Sequence, residues 1–369
     1  MIAPAAFEDI TFPQQALFPW SSYESNQYLR ALNAYFTSGS GNGVVYGTPV
    51  EIGATLAGGV AKYLGGAMTP SGIIYAPGYL NTDWLLIDTN NDTVSVTGSL
   101  SGNHTSAFYS PYNRAVYASG TSRVSKITID NNSGSFVSTP VTGLLPPFVL
   151  SYDGLAAYVT NIGTNRSIYK YDILIDSASN LNIPTTNDRY SACLAGNGKM
   201  YWTPAGPAGT RNYIEFDPAT DTYTSFGTPA GDTQQGIIMA PDGFVYAFPF
   251  QANPVNRINP TTRAVTSMLT AGSTCRMAGV CIGADGNIYG CGVGNTLSIY
   301  NWRTNTLTTS ATLPSTSGYQ SIHMGVNGDL YLIPWSAPKV VKIPIINNGR
   351  VIRPIQEMNG ILGRHQSAL

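Results

Sequence analysis

Residues 236 to 248 read Gly236-Ile237-Ile238-Met239-Ala240, then Pro241-Asp242-Gly243, then Phe244-Val245-Tyr246-Ala247-Phe248. An apolar run short enough for a strand meets Asp-Gly, which supplies the positive φ of a tight hairpin, and a second apolar run follows. Downstream, Val255-Asn256-Arg257-Ile258 reads as a third strand. Asn259-Pro260-Thr261-Thr262 turns the chain, and Ala264 to Leu269 forms an outer strand. Four strands and three turns fill the unit from Gln235 to Ser273. Its tyrosine recurs as Tyr75, Tyr117, Tyr158, Tyr201, Tyr246, Tyr289 and Tyr331, at spacings of 41 to 45 residues. A fixed period in this range marks a repeat architecture. Four short strands per period make one blade of a β-propeller, so the expected fold is all-β, with seven blades.

The third-strand ending also recurs, as Ile87-Asp88, Ile129-Asp130, Tyr171-Asp172, Phe216-Asp217, Ile258-Asn259 and Tyr300-Asn301. Asp or Asn there caps its own turn. In the second unit Asn113-Arg114 replaces the glycine, and the seventh ends in Ile343-Pro344. Two segments compete to complete the seventh blade: Val44 to Leu56, ahead of the first unit, and Gly349 to Met358, after the last. The reading favours the N-terminal one, because a blade shared by both ends staples the ring shut. The other then packs elsewhere or offers an unpaired edge.

The expected organisation is an N-terminal arm over 1–43, a propeller over 44–357 and a C-terminal tail over 358–369. In the arm, Ser21-Ser22-Tyr23-Glu24 fits a capping box, and Tyr28, Leu29, Leu32, Tyr35 and Phe36 share one helical face. A short amphipathic helix is expected from about 22 to 36. Phe7, Phe12, Phe18 and Trp20 precede it among prolines, and Gly39 to Gly43 forms a hinge. Such an arm either folds back on the propeller or docks another protein.

Charged residues are 11% of the 369-residue chain and the net charge is −1. An average soluble domain carries about 25%. The balance gives no electrostatic footprint for nucleic acid. No apolar run reaches the length of a membrane span. Met1-Ile2-Ala3-Pro4 begins no recognisable secretory signal. A charge-poor, Ser-, Thr-, Asn- and Tyr-rich composition is expected of a virion or extracellular surface.

The period and its turn chemistry resemble the seven-bladed repeats of the YVTN, NHL and streptogramin-lyase-like group. Tyr158-Val159-Thr160-Asn161 spells the first of these names. The resemblance covers about 310 residues and implies architecture rather than activity. In style the chain also resembles propeller-bearing virion proteins of bacteriophages.

Candidate chemistry is sparse. Eight aspartates (Asp88, Asp130, Asp172, Asp217, Asp153, Asp242, Asp285 and Asp329) sit at repeat turns, and Glu8, Glu24, Glu51, Glu215 and Glu357 are the only glutamates. This leaves little for a multi-carboxylate metal site. His323 shares the register of Cys193, Ile238 and Cys281, eight residues before a repeat tyrosine, and so lies on an inner strand. His104 reads as a loop residue and His365 lies in the tail. Cys281 and Cys291 flank one hairpin and could approach; Cys193 and Cys275 complete the four cysteines. Sequons at Asn91, Asn103, Asn131 and Asn165 matter only in a eukaryotic secretory setting. No cofactor, metal site or catalytic residue is expected. The function expected is a non-enzymatic binding propeller, a virion component associated with capsid, tail or fibre. The alternatives are a carbohydrate-binding propeller and a metal-dependent lyase or lactonase. Partners are other assembly proteins, met by the arm or a strand edge, and host surface glycan. Candidate contacts are Trp202, Trp335, Trp20, Phe18 and Tyr28.

Overall fold

The computed structural model describes residues 44–59, 61–100, 102–110, 112–120, 123–129, 133–138, 148–151, 154–160, 167–184, 189–204, 211–229, 234–250, 254–270, 277–292, 295–315 and 318–348. The arm with its expected helix, and the tail, lie outside them. No helix occurs among the described residues.

Seven antiparallel four-stranded sheets follow one another along the chain. The fifth consists of Gln234–Met239, Val245–Pro249, Pro254–Ile258 and Val265–Thr270, close to the strands expected. The inner strands of the others are Ala67–Met68, His104–Ser110, Val149–Leu150, Arg189–Leu194, Gly279–Ile282 and Tyr319–Met324. Seven apolar clusters fill the seven gaps between neighbouring blades, including the gap between the last and the first. In that last gap Tyr331, Ile333 and Val340 pack on Ile74, Ala76, Leu85 and Ile87. Each sheet is buried on both faces, which is why the second strands are nearly all apolar.

The ring closes through the N-terminal segment. Val50–Ile52 is the outer strand of the seventh blade and pairs with Val340–Ile343, Glu51 standing opposite Val341. The residues just before it, Val44–Tyr46, leave the blade and pair with Ile345–Asn348 as a separate two-stranded ribbon.

Because the strands of a blade alternate in direction, its tight turns lie on one face of the ring. Its longer connections, within and between blades, lie on the other. We call these the turn face and the loop face. On the turn face Gly72, Gly198, Gly243, Gly286 and Gly328 stand at φ between 77° and 85°. Arg114 holds the same place in the second blade at φ 49°, a left-handed conformation that costs a residue with a Cβ about 1–2 kcal/mol. The missing glycine therefore changes the residue and leaves the turn.

The repeat tyrosines are all buried, none more than 3% exposed. Burial satisfies the ring but strands a hydroxyl, which must find a partner. Tyr246 and Tyr289 donate to their own hairpin aspartates, Asp242 and Asp285, at 2.7 Å each. Two others reach the next blade: Tyr331 donates to Asp92 and Tyr117 to Asp176, while Tyr201 donates to Glu215 of its own blade at 2.6 Å. Asp92 and Asp176 occupy positive-φ positions in third-to-outer turns, at 57° and 49°. Each also takes a lysine that lies across the strand from the tyrosine, Lys342 opposite Tyr331 and Lys126 opposite Tyr117. Between the fourth and fifth blades the polarity is reversed. Glu215 lies opposite Tyr201 and takes Arg263 from the fifth-blade turn at 2.9 Å. Burial pushes the Glu215 carboxyl up, but bonds from Arg263, Tyr201 and Lys199 hold it below its ordinary range.

Candidate interaction surfaces

The turn face carries the two-stranded ribbon. Tyr46 anchors it between the sixth and seventh blades. Its hydroxyl accepts the amide of Ala284 at 2.8 Å and donates to the carbonyl of Gly328 at 3.1 Å. Its ring meets Tyr289 edge-on at 4.9 Å. Asp329 accepts the amide of Ile345 at 2.7 Å, and the Gly47 amide donates to the carbonyl of Pro344. Burial and the nearby Asp285 carboxylate push the Tyr46 hydroxyl far above its ordinary pKa, so it stays a neutral hydrogen-bonding group. Val44 pairs directly with Asn348, so stretches 1–43 and 349–369 start side by side. Val45 and Ile346 on this ribbon are 53% and 70% exposed.

The loop face carries a different feature where the seventh blade meets the first. The connection from Val50–Ile52 to Ala67–Met68 crosses this junction. Lys62 donates its amide to Trp335 and Tyr79 donates its own to Lys62, both at 2.6 Å. The Lys62 ammonium is buried and binds the carbonyls of Ser336 and Ala337 at 3.4 and 3.2 Å; burial lowers its pKa. Tyr63 donates to Asp83 at 2.6 Å. These bonds bring Tyr79 and Trp335 together as a tilted pair, ring centres 5.2 Å apart, both half-buried, with Leu80 56% exposed beside them.

Trp335 is half-buried on the loop face beside Tyr79. Trp202 is wholly buried in the second strand of the fourth blade, against Phe216 at 6.0 Å and within the cluster containing Tyr158. It follows a repeat tyrosine, and that strand is enclosed on both faces, so neither side reaches solvent. Trp20, Phe18 and Tyr28 lie outside the described residues. Tyr79, Lys62 and Tyr46 were missed by the sequence reading. Tyr79 stands outside the repeat register, and that displacement was the available signal.

His323 lies on the inner strand of the seventh blade and contacts Ser321 Oγ at 3.0 Å. His104 opens an inner strand rather than lying in a loop, buried with Nε2 2.7 Å from Ser125 Oγ. Burial lowers both histidines to about 4, so both are neutral at pH 7. Cys193, Cys281 and Cys291 are free thiols, pushed up by burial. Cys275 and His365 lie outside the described residues. Among the described residues, no three His, Cys, Asp or Glu side chains group as metal ligands would, and no helix is long and apolar enough to cross a membrane.

No protein-family profile and no curated protein matches the sequence. Solved structures do. Streptogramin B lyase superposes with a TM-score of 0.68 at 12% identity, over 81% of this chain and 97% of that one. The WD40 propeller domain of Doa1 gives 0.63 at 14%, over 82% and 97%. A chain of the mitotic checkpoint complex gives 0.64 at 11%, over 82% and 92%. At these identities the likeness shows the seven-bladed fold alone. It also corrects one expectation. The chain was expected not to be an enzyme, yet the architecture it shares is that of a lyase, so the fold gives no ground for that exclusion.

Proposed function

We propose that this chain is an interaction propeller of a large assembly, attached through its terminal stretches and presenting its loop face outward. The observation that carries this is the ribbon. Val44 and Asn348 pair, and Tyr46 pins them to the turn face between two blades. An arm over 1–43 and a tail over 358–369 would then act from one point, on the face opposite Tyr79 and Trp335. Exposed Val45 and Ile346 at that point suit continued packing against a partner. The low charge and Ser-, Thr- and Asn-rich composition support a virion component, associated with capsid, tail or fibre. The test is deletion. A chain of residues 44–348 should keep its fold and lose its place in the assembly. Undiminished incorporation would refute attachment through the flanks.

One contact favours a second reading. His323 stands 3.0 Å from Ser321 Oγ on an inner strand, a pairing of the kind that can move a proton. The fold likeness to streptogramin B lyase makes a lyase the activity to assay. Turnover of a streptogramin B that is lost in His323→Ala would support it; no turnover would remove it.

A further inference from the structure

We infer that Tyr79 and Trp335 form a stacking platform for a neutral pyranose sugar at the junction of the first and seventh blades. This rests on the reading of the loop face as the presenting face, and it names the ligand class.

The two rings differ from the other aromatic side chains around them. The repeat tyrosines have buried rings, and the hydroxyls of Tyr246, Tyr289 and Tyr331 are bound to carboxylates. Trp302 donates its indole N–H to Gly286. Tyr79 and Trp335 are half-buried and adjacent. Among the described residues the Tyr79 hydroxyl and the Trp335 indole N–H bond to no side chain or carbonyl. Each ring therefore offers an apolar face with a free polar edge, the combination that suits a surface wet at one end and apolar at the other.

A sugar ring presents the complement, a face of axial C–H groups bordered by hydroxyls. The polar residues next to the platform along the chain are uncharged: Asn81, Thr82 and Ser336. The charges beneath it are already used. Asp83 accepts Tyr63, and Lys62 is turned onto two backbone carbonyls. The two rings themselves carry no charge, which fits a neutral ligand, and the charged Lys339 nearby in the chain pairs with Glu51 at 3.6 Å. Two rings and Leu80 make a surface of one or two sugar units. A stable protein interface needs about 800 Å² from each partner. The terminal stretches start on the opposite face, at Val44 and Asn348.

The pair is also held rigid. The crossover from the seventh blade's outer strand to the first blade's inner strand ties the backbone of Trp335 and of Tyr79 through Lys62, and that of Leu80 through Ala61. A platform fixed before binding loses little entropy on contact.

The test uses the full chain with N-acetyl-D-glucosamine and methyl β-D-galactopyranoside as probes, followed by saturation-transfer NMR. At least one should bind, with its axial C–H protons saturated most strongly. Trp335→Ala should weaken binding about tenfold or more, and Tyr79→Ala several-fold. Trp335→Phe should retain part of it, and each variant should keep the wild-type melting temperature within a few degrees. Failure of both probes, or equal binding by Trp335→Ala, would overturn the inference. So would loss of a protein contact, without any sugar response, in Trp335→Ala. A chain that enters its assembly but ignores both sugars would refute the platform alone. A lone monomer that binds sugar through Trp335 would refute the assembly reading alone.

Discussion

Tyr331 of the seventh blade donates its hydroxyl to Asp92 of the first at 2.6 Å, across the seam where the ring closes. Asp92 also binds Lys342, which lies beside Tyr331 on the neighbouring strand. The tyrosine that marks the repeat in the sequence is therefore a fastener between blades in the fold. Tyr331→Phe should cost about 1.5–3 kcal/mol, the usual value of a hydrogen bond to a charged group. Asp92→Asn should cost a similar amount, and the double variant less than the sum, since both remove one bond. Denaturant unfolding of the three variants measures this. Strict additivity would show that the contact carries no energy.

The reversed polarity between the fourth and fifth blades permits a charge exchange. Glu215→Lys alone should destabilise the chain by about 3 kcal/mol or more, leaving Arg263 facing a cation in a buried site. Adding Arg263→Asp should recover much of it, because Lys126 with Asp176 already uses that arrangement two blades earlier. Failure of the second change to rescue the first would mean that the blades do not share one fastener geometry.

Two glycines should respond differently to alanine. A Cβ on Gly279 would stand 2.4 Å from the Gln320 carbonyl and 2.6 Å from the Ser321 Cα, backbone atoms of the seventh blade that cannot turn aside. Gly279→Ala should cost about 3 kcal/mol or prevent folding. Gly198 has open space around it but stands at φ 77°. Gly198→Ala should cost about 1 kcal/mol, from backbone strain alone. Melting curves separate the two cases, and equal losses would contradict the close packing of inner strands.

Acid should weaken the fold before its carboxylates do. His104 and His323 titrate at about 4 in the folded chain and near 6.5 when unfolded. As pH falls from about 6.5 to 4 the unfolded chain takes up protons that the folded chain refuses. Stability is therefore full above that window and falls within it, by roughly 1.4 kcal/mol per pH unit for each histidine. Asp242 and Asp285 act with the opposite sign, since burial raises their carboxyls and the folded chain protonates first. His323→Gln should remove about one histidine's share of the slope in melting temperature against pH. An unchanged slope would place His323 in contact with bulk water.

Much of the architecture was legible because it repeats. Gly243, Tyr246 and Asn259 each recur with a local physical reason, and seven copies outweigh single exceptions such as Arg114. The β pattern alone left Val44 to Leu56 and Gly349 to Met358 as rivals for ring closure, and only the argument that a shared blade staples the ring favoured the segment containing Val50–Ile52, which pairs there. The surfaces were not legible. Trp202 and Trp335 look alike in sequence, each close behind a repeat tyrosine. Trp202 falls within a strand buried on both faces, whereas Trp335 falls one residue past its strand, where the chain has turned outward. Tyr79 joins it only through the crossover at Lys62, a contact between residues far apart in sequence that no local pattern encodes. The arm was read from local signals alone, and its place lies outside the described residues.

The central claim is attachment through paired flanks on the turn face. Its most direct test is to size-resolve the protein from its source and image the particles it elutes with. The account predicts large regular particles in which the propeller's turn face points inward and its loop face outward. A lone monomer of 39.3 kDa, or particles contacted through the loop face, would contradict it.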